Sequence, residues 1–135
     1  ALGAGTPARG GEDIDVAVRL LLAGFLVVRQ PAAVIWHQSH GTHAELVAQL
    51  EDYGCGLSAA FSKFMGQRSI APMILRRLPA GLTALLSQDS VKNDQRSSSY
   101  PADLRRAEWR GLRAGPVAYR KSRRLARRRM QADLP

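Results

Sequence analysis

Residues 10–24, GGEDIDVAVRLLLAG, constrain the fold more than any other stretch. A glycine pair runs into three acids, Glu12, Asp13 and Asp15, and the acids run straight into an apolar segment. Ile14, Ala17, Val18, Leu21 and Leu22 fall at i, i+3, i+4, i+7 and i+8, the spacing of one helix face. Asp13 or Asp15 can accept from the unpaired N–H groups of a first turn, where the helix end is also positive. Asp15 and Arg19 form an i,i+4 pair in the favourable order. Gly24 stands where a left-handed, helix-ending glycine belongs. The pattern predicts a helix over 14–23.

Two short apolar runs follow, FLVVR at 25–29 and AVIWH at 33–37, with the turn Gln30-Pro31-Ala32 between them. Both are nearly continuous, as in strands buried on two faces. A helix followed by two such strands is α/β grammar. From Thr42 the grammar changes. Leu46, Leu50, Tyr53, Leu57, Phe61 (or Ala60) and Phe64 recur at steps of three or four, which predicts one long amphipathic helix to about Met65. Gly54-Cys55-Gly56 reads as its weak point. A further helix is expected over 70–78, ended or kinked by Pro79, with Leu82, Leu85 and Leu86 continuing an apolar face. Residues 87–100 read as a polar linker. Pro101 and Pro116 each sit where a helix could open.

Charge divides the chain. Residues 1–100 hold nine Lys/Arg against eight Asp/Glu, and residues 101–135 hold eleven against three, so +8 of the net +9 belongs to the last 35 residues. A basic tail suggests anionic partners, phospholipid headgroups or nucleic acid. Its aromatics are few, Trp109 and Tyr119 with Tyr100 just before, which disfavours base stacking and so nucleic acid. The bland alternative is a solvated basic helix. No run of about 18 uncharged apolar residues exists, so no spanning helix is expected. The start ALGAGTPARGG lacks a secretory signal, and the single Cys55 excludes an internal disulfide. A cytoplasmic place follows as the expectation, peripheral at the inner face of the plasma membrane if the tail meets lipid.

The glycine loop is not a nucleotide loop of a familiar kind. GAGTPARGG is followed by no Gly-Lys-Ser/Thr, and its glycines do not follow a strand at dinucleotide-binding spacing. The longer string GGEDIDVAVRLLLAGFLVVRQPAAVIWHQ instead resembles the second half of the catalytic domain of family 2 glycosyltransferases, inverting enzymes of GT-A type. The carrying residues are Gly11-Glu12-Asp13-Ile14-Asp15, Arg19, Gly24, FLVV, Pro31 and Trp36-His37. The resemblance covers about residues 2–40, and YGCGLSAAFSKF adds a fainter likeness to the helical region that trails this domain in some bacterial members.

The resemblance implies a fold and a chemistry. Residues 1–41 would be the C-terminal portion of a GT-A catalytic domain, 42–86 a helical extension, 87–100 a linker and 101–135 a basic helical tail. The class would be α/β, an incomplete GT-A-like portion followed by amphipathic helices. The activity would be transfer of a sugar from a nucleotide-sugar donor to an acceptor hydroxyl on a glycan or lipid-linked acceptor, with inversion. Such an attack needs a base within hydrogen-bond reach, and the resemblance gives that role to Asp13. Gly11 and Glu12 would lie against the acceptor, and Trp36 would wall its site. A divalent cation, Mg²⁺ or Mn²⁺, would neutralise the leaving diphosphate, with His37 near it. The family's donor-side Asp-x-Asp has no counterpart here, since Asp13-Ile14-Asp15 belongs to the later motif. The 135 residues alone are therefore expected to be inactive. Each residue also has a plainer reading. Asp13 can be a first-turn acid, Trp36 a packing residue and His37 a satisfied polar group. His40 and His43 do not make a zinc spacing with it. The competing function is a small basic helical module that binds an anionic membrane surface or nucleic acid.

Overall fold

The computed structural model describes residues 1–28, 30–36, 41–86 and 100–132. Its elements are four helices: α1 (Glu12–Leu22), α2 (His43–Met65), α3 (Ala71–Leu86) and α4 (Ala102–Ala132). No strand forms among the described residues. The α/β, GT-A-like class expected for residues 1–41 is thereby overturned. FLVV and AVIW are irregular and open to solvent, with Leu26 90%, Ile35 89% and Trp36 95% exposed. The reason is partnership: a strand's N–H and C=O groups need a ladder, and two short runs joined by a turn are marginal in water.

α1 opens two residues earlier than its apolar pattern, so all three acids lie in its first turn. Its cap is Gly11, at φ 85°, with no side-chain cap bond. Its end is a Schellman motif: Phe25 N–H donates to Leu20 O at 3.0 Å and Gly24 N–H to Leu21 O at 3.1 Å, with Gly24 at φ 85°. α2 opens on a capping box, in which Thr42 Oγ1 accepts from Glu45 N–H at 3.2 Å and Glu45 Oε2 from Thr42 N–H at 3.0 Å. α3 runs through Pro79 rather than ending there, and Thr83 Oγ1 donates to Pro79 O at 2.9 Å. α4 likewise runs through Pro116 as one helix of 31 residues, about 46 Å long. Of the expected linker at 87–100, residues 87–99 lie outside the described residues.

α2 and α4 lie side by side and parallel. His43 Nε2 and Asp103 Oδ2 meet at 2.5 Å where both begin, and Arg110 Nε donates to Glu51 Oε2 at 3.0 Å one stage further on. Between them is a seam of small residues: Gly54, Cys55 and Ala59 on α2, and Ala107, Gly111, Gly115, Ala118 and Ser122 on α4, all buried. The backbones nearly touch. A Cβ on Gly54 would come within 2.5 Å of Glu108 O, and one on Gly111 within 2.8 Å of Cys55 N. One on Gly115 would meet Cys55 O at 2.5 Å and collide with Ser58 Oγ. Such proximity suits Cα–H···O contacts and tight dispersion, which offset the roughly 1 kcal/mol that each mid-helix glycine costs. A second, smaller core joins α1 to this pair. Ala60, Phe64 and Ile70 are buried, and Leu2, Ile14, Val18 and Ile74 pack on them.

Two glycines make a paired prediction. Gly111→Ala drives a methyl into the α2 backbone and should lower unfolding stability by about 1–3 kcal/mol. Gly81→Ala, within α3 and with nothing within 4 Å of its would-be Cβ, should raise it by up to about 1 kcal/mol. Urea denaturation followed by circular dichroism reads both, and equal effects would contradict the seam.

Candidate functional site

The loop before α1 is closed on itself and fixed to both long helices. Gly3 N–H donates to Gly10 O at 3.2 Å, and Thr6 Oγ1 donates to Gly3 O at 2.7 Å. Ala8, fully buried, donates its N–H to Ser122 Oγ of α4 at 3.0 Å. Gly10 and Gly11 press on Gly56 of α2: a Cβ on Gly56 would lie 2.8 Å from Gly11 N, and one on Gly11 would strike Gly56 O. Arg9, at φ 62°, reaches over α2 to Asp52 Oδ1 at 3.0 Å and Glu51 Oε1 at 3.3 Å.

This mount separates the three acids. Asp15 Oδ1 is bonded to Lys63 Nζ of α2 in a half-buried pair, and Lys63 also lies 5.8 Å from the Phe64 ring centroid. Lys63, rather than the expected Arg19, is thus the cation placed against Asp15. Glu12 sits over the loop, its carboxylate about 4 Å from where Cβ atoms on Gly3 and Gly10 would be. Asp13 is exposed. Its Oδ1 accepts from Ile14 N–H at 2.8 Å, and among the described residues this local bond is the one hydrogen bond of its side chain. Gly11, Glu12 and Asp13 therefore come together at one helix start. Trp36 lies apart from that helix start in the sequence and is 95% exposed. His37 lies outside the described residues.

Asp15 is committed to Lys63, so Asp13 and Asp15 do not present a carboxylate pair, and no group of three His, Cys, Asp or Glu side chains is placed to hold a metal. Cys55 is not a nucleophile in waiting. Burial pushes its thiol up, and Asp52 and Glu51 add to this against the pull of Arg9. No described helix is long and apolar enough to cross a membrane.

The sequence reading missed the charge cluster beside Cys55. Arg9 and Arg110 converge on Glu51, with Asp52 alongside. Arg110 and Glu51 are 59 positions apart and Arg9 and Asp52 are 43 apart, so no local spacing signals them. Comparison with known proteins adds no relative: no family model, curated protein or solved structure matches this chain.

The cluster has a pH consequence. The hydrogen bond from Arg110, helped by Arg9, holds the Glu51 carboxyl below its usual range, although its burial works the other way. A lowered folded-state value favours the native state above the ordinary glutamate value of about 4.3, and that contribution is lost as pH falls through the lowered one. Glu51→Gln should therefore flatten the acid limb of a stability-against-pH curve while leaving its shape above neutrality unchanged. An unaltered acid limb would show that Glu51 is not held by its arginines.

Proposed function

We propose that the loop at 3–11 and the first turn of α1 form the acceptor side of a glycosyl-transfer site, with Asp13 as general base. The observation that carries this reading is the division of labour at the helix start. Asp15 is tied down by Lys63, while Asp13 is open to solvent with Oδ1 steadied by Ile14 N–H. Oδ2 is then the atom that takes the acceptor's proton as the hydroxyl oxygen attacks the anomeric carbon and the nucleoside diphosphate departs from the opposite face. Glu12, beside it, orients the acceptor. The sequence pattern Gly-Glu-Asp-x-Asp with Arg19 and Gly24, similar to that of family 2 glycosyltransferases, supports the same assignment.

The reading has a strict requirement. These residues offer no donor-side Asp-x-Asp and no cation site among the described residues. Binding of the nucleotide-sugar, and charge compensation for its diphosphate, must come from polypeptide outside them. The 135 residues alone should show no sugar transfer. Expressed together with the donor-binding polypeptide, Asp13→Asn should cut kcat by about 10²–10⁴-fold, the usual worth of a positioned base, and leave donor KM nearly unchanged. Asp15→Asn should act on thermal stability instead. Turnover that survives Asp13→Asn would remove the base assignment, and transfer by the isolated chain would remove the requirement for a second part.

A further inference from the structure

α3 carries an apolar side that the protein leaves uncovered. Ile70 and Ile74 turn inward onto Phe64 and Ala60. Leu75 and Leu78, three apart and so on one face, are 52% and 43% exposed. At 3.6 residues per turn Arg76 and Arg77 fall on the opposite side, where with Ser69, Pro72 and Met73 they line an open groove of about 460 Å³. α3 contains no acid. An apolar stripe backed by arginines is the form of a helix that lies in a membrane interface.

The end of α4 carries matching charge. Its last buried residue is Ser122. Beyond it Arg123, Arg124, Arg127, Arg128 and Arg129 are all exposed, with Leu125 and Met130 also open at 44% and 72%. No acid occurs between residues 109 and 132. Tyr119, half-buried, is the one aromatic in 113–132, so that segment lacks a stacking surface for bases.

We propose that α3 and the basic end of α4 hold this chain on an anionic lipid surface. Leu75 and Leu78 enter the acyl boundary, and the arginines pair with headgroup phosphates. The exposed leucines beside the arginines favour lipid over nucleic acid, because a purely electrostatic polyanion site has no use for them. This inference does not depend on glycosyl transfer.

Flotation of the whole chain with vesicles tests it. Phosphatidylcholine vesicles containing phosphatidylglycerol should carry the protein up the gradient, and pure phosphatidylcholine vesicles should not. Arg76→Gln with Arg77→Gln should weaken partition roughly 25-fold, about five-fold per arginine near a charged leaflet. Leu75→Asn with Leu78→Asn should also weaken it, with helix content checked by circular dichroism. No flotation on anionic vesicles would overturn the proposal. So would flotation indifferent to the leucine changes, or displacement from the vesicles by DNA, which would assign the surface to nucleic acid.

Discussion

Everything else in this protein rests on how closely α2 and α4 approach. Gly54 on one helix and Gly111 and Gly115 on the other let two backbones meet where a single methyl would not fit. That contact replaces the large interdigitating side chains of an ordinary helical core. Among the described residues, the largest side chain that is fully buried is Cys55. Stability is therefore drawn from many short-range backbone contacts over a narrow seam, and it is sensitive to the smallest substitutions.

The seam also sets where the chemistry sits. With α2 and α4 fixed in parallel register, Gly56 and Ser122 offer two points that grip the loop at 3–11 from either helix. Lys63, in the last turn of α2, then takes Asp15. The first turn of α1 is held at both its flanks, and Asp13 is left facing outward. The same parallel pair lines up Glu51 with Arg110 and brings Arg9 across to them, so the charge cluster is a result of the register rather than a separate device.

The sequence was informative where structure is local. Gly24 closes α1 as its position suggested, and Thr42 opens α2, although the Glu45 partner that completes its capping box went unread. It misled where structure depends on what lies across a gap. Gly54-Cys55-Gly56 looked like a weak point in a helix and is its main contact, because a glycine's cost is visible locally and its benefit belongs to the partner helix. The apolar stripe on α2 was drawn through Tyr53 and through Phe61 or Ala60; Tyr53 and Phe61 are 63% and 44% exposed, while Ala60, with Ala59 beside it, is buried. Large residues mark a face only when the neighbour stands far enough away to receive them. FLVV and AVIW have strand composition, but composition supplies no partner, and without one they remain irregular. At the candidate site, the grouping of Gly11, Glu12 and Asp13 was legible in the motif. The diversion of Asp15 to Lys63 was not, since 48 positions separate them.

The parallel glycine seam is the claim on which the mounting of Asp13 and the charge cluster both depend. Nuclear Overhauser spectroscopy on labelled protein reads it directly. The account predicts cross-peaks from Gly111 Hα to the Cys55 amide proton and from Gly115 Hα to the Ser58 β-protons, with further contacts advancing in the same direction along both helices. Absence of these cross-peaks in folded protein, or contacts that run in opposite directions along α2 and α4, would contradict it.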